Sequence, residues 1–109
     1  GRKQVFVVDD IEITLQGRAD GIIKKSEKEY IIDEIKTTVI DLKEFREENL
    51  AWHLGQAKCY AYMFAHALGL EYIGVKLTYI RQGKEREFVM IYENLSYDNR
   101  SVMCEQPSG

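Results

Sequence analysis

The sequence predicts an α/β (α+β) domain in which a mixed β-sheet packs on one long helix, in the order β-β-β-α-β-β. Three observations predict it. Short apolar or alternating runs fill the chain up to Thr38, a helical apolar period follows over residues 41–69, and two further strand-like runs come after it. With 109 residues there is mass for one core and not two, so a single domain over 1–109 is expected.

The first β-like stretch spans Gln4 to Leu15 (VFVV, then IEITL), with a turn expected at Asp9-Asp10. Residues 17–24 and 29–36 read as two strands, joined through the polar Lys24–Lys28 stretch. A turn centred on Glu27 sets Ile22 against Ile32, Ile23 against Ile31, and Asp20 against Glu34. Thr37 and Thr38 close this strand. A helix capped by Asp41 and ended by Gly69 comes next, with Leu50, Leu54, Ala57, Ala61, Phe64 and Leu68 as its apolar stripe. Tyr72 to Ile80 and Glu87 to Tyr92 form a last hairpin around Gln82-Gly83-Lys84, and the tail after Asn94 loses its pattern.

Composition narrows the function classes. A 45% apolar and 30% charged chain is an ordinary globular one. No apolar run approaches a membrane span and no signal-peptide pattern opens the chain, so a cytoplasmic location without a membrane partner is the default expectation. Cys59 and Cys104 are the only cysteines, too few for a disulfide scaffold or a cysteine-held metal cluster. Cys59 falls off the apolar stripe and reads as an ordinary thiol, and Trp52 as hydrophobic anchorage. The net charge of −3 weighs against a bulk electrostatic nucleic-acid binder. Local basic residues exist at Lys24, Lys25, Lys28, Lys76, Arg81, Lys84 and Arg86, and solvated surface accounts for them as readily as phosphate contact does.

The chemistry is concentrated in two short segments, GRADG with Asp20 and YIIDEIKTT with Glu34 and Lys36. Directly opposed like charges destabilise a sheet face, so an Asp20–Glu34 pair asks for a cation. Glu34 and Lys36 are two apart and share a face, whereas Asp33 projects from the other. Two carboxylates with an ammonium at the rim make a hard-oxygen site of the kind Mg²⁺ (or Mn²⁺) uses with a phosphate substrate. Such an ion polarises the phosphoryl group and activates water, and Lys36 would orient that water. Hydrolysis of a phosphodiester is the implied reaction. On the helix, Asn49, His53, Gln56 and Tyr60 fall within roughly 60° of one another, beside the apolar stripe. Gln56 can donate to phosphate and accept from Lys36, and Tyr60 can bond phosphate or stack on a base. Each has a blander reading: His53 as a half-buried helix residue, Tyr60 as core packing, and Tyr72, Tyr79 and Tyr92 as plain strand residues.

GRADG, YIIDEIKTT and HLGQAKCYAYMFA, in this order over about residues 11–80, resemble the PD-(D/E)XK nuclease superfamily, in its RecB-like exonuclease branch with CRISPR-associated and helicase-fused members. The resemblance implies a restriction-endonuclease-like core and a Mg²⁺- or Mn²⁺-dependent deoxyribonuclease, an exonuclease of DNA repair, recombination or processing. DNA would be its partner, with a helicase in the same chain or complex. It implies Asp20 and Glu34 as metal ligands with the Ile35 carbonyl as a third, Lys36 as the catalytic lysine, and Gln56 and Tyr60 as substrate-binding residues. The family's N-terminal helix is not represented, so a fragment or a lost helix is expected. Many relatives hold an iron–sulfur cluster through four cysteines; with two, none is expected here. The alternatives are a catalytically inactive nucleic-acid-binding module on the same fold, and a structural domain that associates through its sheet edge.

Overall fold

The computed structural model describes residues 4–8, 11–15, 19–83 and 87–96. Two strands open the chain, β1 (Gln4–Val8) and β2 (Ile11–Leu15), followed by β3 (Gly21–Lys24) and β4 (Tyr30–Thr38). Helix α1 (Leu42–Leu68) separates them from β5 (Tyr72–Arg81) and β6 (Glu87–Ser96). The general α+β class and the mixed sheet on one helix are therefore as expected. The count is corrected: four strands precede the helix, because the first β-like stretch is an antiparallel hairpin of its own. It packs on α1 and forms a sheet separate from β3-β4-β5-β6. The turn expected at Asp9-Asp10, Lys84 of the second turn and the tail beyond Ser96 lie outside the described residues.

The β3–β4 hairpin has the register expected from its turn, with Ile22 opposite Ile32 and Ile23 opposite Ile31. β4 and β5 run parallel, and α1 is the crossover that such a pair requires. Being covered by α1, this central pair is built from apolar residues: Ile32 on β4, and Ile73, Val75, Leu77 and Tyr79 on β5, are all buried. The opposite sheet face leaves Ile35, Met90 and Tyr92 exposed.

Asp41 caps α1, its carboxylate accepting from the Glu44 amide at 3.2 Å. Gly69 ends the helix in the left-handed region at φ 66°, which spares a Cβ the strain of that conformation. Ala57, Ala61 and Ala65 face the sheet with no exposed surface, so the helix backbone can lie close on Ile32, Val75 and Leu77. Three expectations on α1 are corrected. Leu68 is half exposed at the helix end, and Trp52 is 41% exposed rather than an anchor. Cys59 is fully buried and disulfide-bonded, not an ordinary thiol. Among the described residues, no helix is long and apolar enough to cross a membrane.

The alanine face carries a test. Ala61→Leu should cost about 1–3 kcal/mol by overpacking the helix–sheet seam. Leu68→Ala should cost much less, since half of that side chain is already in water. Urea unfolding of the two variants measures the difference.

Candidate functional site

β3 begins only at Gly21, so Asp20 lies just beyond the backbone ladder. Side chains continue the pairing where the ladder stops. The Asp20 amide donates to Glu34 Oε1 at 3.1 Å, and the Ile35 amide donates to Asp20 Oδ2 at 2.9 Å. Each carboxylate thus binds the main chain of the other strand, which draws the two acids together as the turn register anticipates. Lys36 Nζ stands 3.9 Å from Glu34 Oε2. Asp20, Glu34 and Lys36 therefore converge at one end of the sheet. Asp33 is turned to the other face, as its parity requires, pairs with Gly21, and has a buried Oδ1 without a partner.

Glu34 is the buried acid of the group, only 4% exposed. Burial pushes its carboxyl up to about 7; the Asp20 amide bond offsets part of this, the Asp20 charge adds to it, and Lys36 opposes it. The Asp20 carboxyl and its charge both raise Glu34, so a single proton on the pair relieves their repulsion. A divalent cation would relieve it more completely. The donor chemistry fits one: Asp20 Oδ1 and Glu34 Oε2 are the carboxylate oxygens not held by a backbone amide, and both are hard ligands. Among the described residues there is no cluster of three or more His, Cys, Asp or Glu side chains, so further ligands must be carbonyl, water or substrate. Ile35 lies between the two families of bonds, with its side chain 45% exposed and its amide on Asp20.

The helix row separates into distinct roles. Asn49 is spent on its own helix, its Nδ2 donating to the Phe45 carbonyl at 2.8 Å. Gln56 has a buried Oε1 with no partner, an acceptor in want of a donor. Tyr60 is half-buried against the core, and its hydroxyl is pushed up by burial and by the charges of Glu34 and Asp20. That places it within electrostatic reach of both acids. Tyr60 also borders a shallow apolar groove of about 280 Å³ with Ala19, Ile22, Met63 and Phe64, next to Asp20 in the chain.

His53 is a half-buried helix residue and Tyr79 a strand residue, as their blander readings have it, but the bond between them was not expected. Tyr79 is fully buried and lies beside Lys36 in the parallel register, and its hydroxyl is 2.8 Å from His53 Nδ1. Phe45 closes the cluster, 5.1 Å from the Tyr79 ring and 5.5 Å from the His53 ring. Burial lowers His53 to about 4, with the Lys36 charge adding to the effect. The i−3 spacing of His53 from Gln56 was the available signal; its partner 26 residues away on β5 was not. Of the basic residues, Lys24 is engaged by Glu27 at 3.4 Å and Arg81 by Asp41 at 3.7 Å, while Lys84 and Arg86 lie outside the described residues.

Comparison with protein-family models, with curated proteins and with solved structures finds no match to this chain.

The raised Glu34 pKa has a measurable sign. Between pH 4.5 and about 7 the folded state holds a proton that the unfolded state has released, so this group's contribution to stability falls as pH rises through that window. The loss should total about 3 kcal/mol and level off above it. His53 acts oppositely: the unfolded state binds the extra proton between about pH 4 and 6.5, so its contribution grows as pH rises there. In metal-free buffer, Glu34→Gln should remove the Glu34 loss and exceed the parent chain in stability at pH 8. Chemical denaturation at stepped pH with chelator present reads both effects.

Proposed function

We propose that this chain is a divalent-metal-dependent nuclease that hydrolyses DNA phosphodiester bonds, an exonuclease of the RecB-like kind with a restriction-endonuclease-like core. One observation carries the reading. Two carboxylates from adjoining strands are held together by reciprocal side-chain-to-backbone bonds, with an ammonium 3.9 Å away on the same face.

Asp20 and Glu34 would hold Mg²⁺ or Mn²⁺, with the Ile35 carbonyl as a third ligand. The ion supplies charge neutralisation at the phosphoryl oxygens. The protein's own groups do the rest. Lys36 orients the attacking water and offsets the negative charge that develops on the phosphorus oxygens. Glu34, buried and hydrogen-bonded to the Asp20 amide, fixes where that ammonium sits. Gln56 Oε1 is the acceptor available to Lys36 on the helix side, since no donor among the described residues meets it. Tyr60 and the apolar groove beside it suit the flat face of a base or a sugar. The negative net charge is compatible with this, because the carboxylates that contribute to it would be neutralised by the ion.

Digestion of end-labelled single- and double-stranded DNA over a Mg²⁺ and Mn²⁺ titration tests the reading. Cleavage should require the metal, stop with EDTA, and fall at least ~100-fold in Lys36→Ala while DNA binding stays within a few-fold. Metal-stimulated cleavage that survives in Asp20→Ala/Glu34→Ala would rule the proposal out. Salt-dependent DNA binding with no cleavage would favour the inactive binding module instead.

A further inference from the structure

Buried Tyr79 and half-buried His53 form a pair next to Lys36 that the metal site itself does not use. The proton between them can be assigned. Tyr79 has no exposed surface, and among the described residues His53 Nδ1 is its hydroxyl's only partner. Were Nδ1–H the donor, the phenolic proton would be left buried without an acceptor, at a cost of about 1–3 kcal/mol. The hydroxyl therefore donates and Nδ1 accepts, which leaves the imidazole proton on Nε2. Among the described residues Nε2 has no partner, yet it is not among the buried unpaired atoms, so it keeps surface open to solvent. Phe45, tilted at 5.5 Å, and Tyr79, edge-on at 5.4 Å, hold the ring, so Nε2–H has a defined direction.

We propose that His53 Nε2–H is an uncharged hydrogen-bond donor to a phosphate oxygen of the bound nucleotide, beside Lys36, with Tyr79 as the positioning residue that fixes its tautomer. The proposal deepens the nuclease reading and rests on it for the class of ligand. A neutral donor suits this place. It adds a directed bond to an anionic oxygen without a second positive charge next to the lysine, whose field already opposes protonation of the ring. Tyr79 makes no contact with substrate in this account; it acts only through His53.

Two substitutions separate this role from plain packing. In His53→Asn the short amide can still meet the Tyr79 hydroxyl, but nothing remains where Nε2 was. In His53→Gln the longer amide reaches the Nε2 position and gives up the Tyr79 bond. Binding of a deoxynucleoside 5′-monophosphate with Mg²⁺, cleavage of end-labelled DNA, and thermal unfolding are measured on both, with Lys36→Ala as the control for cleavage. His53→Asn should weaken nucleotide binding or kcat/KM roughly 10- to 100-fold with little change in melting temperature. His53→Gln should melt lower yet stay within a few-fold of the parent chain in binding and cleavage. The reverse ranking, or His53→Asn equal to the parent in both readouts, overturns the proposal. If the parent chain does not cleave at all, the nuclease reading fails, and the nucleotide titration still decides: binding lost in His53→Asn upholds the His53 role, whereas equal binding or none rejects it. Nitrogen-detected NMR of the metal-free chain gives an independent check, since a His53 found as the Nδ1–H tautomer also overturns it.

Discussion

Two carboxylates brought together at the end of a hairpin, one of them almost wholly out of water, set the terms for the rest of this molecule. Like charges at that range repel, and burial makes the repulsion costlier. The protein tolerates the arrangement because each acid takes a main-chain amide from the opposite strand, so the pair replaces the last rungs of the β3–β4 ladder. Those bonds do not neutralise the charge. Glu34 accordingly holds its proton to about pH 7, a cost that a site meant only for packing would avoid with an apolar residue. The acids are held in place and left short of positive charge, which is the physical reason to read them as a cation site.

The surrounding fold serves this end of the sheet. Parallel pairing of β4 with β5 sets Tyr79 beside Lys36, and the crossover by α1 returns the helix over the same face. Small residues at 57, 61 and 65 let α1 lie close on Ile32, Val75 and Leu77, which keeps its polar flank near the sheet. Gln56, Tyr60 and His53 on that flank differ in kind: an acceptor without a partner among the described residues, a hydroxyl in the field of two acids, and an imidazole tied to a buried tyrosine.

Local geometry was legible in the sequence; contacts across the crossover were not. A short polar turn specifies antiparallel register, so Ile22–Ile32 and Ile23–Ile31 followed from counting about Glu27. Period two alone separated Glu34 from Asp33, and cap chemistry bounded α1 at Asp41 and Gly69. No turn sets the register of a parallel pair, so nothing in the chain announced Tyr79 beside Lys36 or bonded to His53. Helical periodicity placed Asn49 in the same row as His53 but could not show that its amide would return to its own backbone. A single-stripe reading of α1 also missed the burial of Cys59, on a helix that the β1–β2 hairpin contacts as well as the main sheet. The family-level likeness rests on the three motifs alone; the convergence of Asp20, Glu34 and Lys36 is a property of this fold.

The central claim is that Asp20 and Glu34 together form a site for a divalent ion. Titrating Mn²⁺ into the chelator-treated chain at pH 8, followed by electron paramagnetic resonance, tests it most directly. A saturable site that Mg²⁺ displaces, and that disappears in Asp20→Asn and in Glu34→Gln, is the result the account requires. Free-ion signal throughout the titration, or binding that both variants retain, would contradict it.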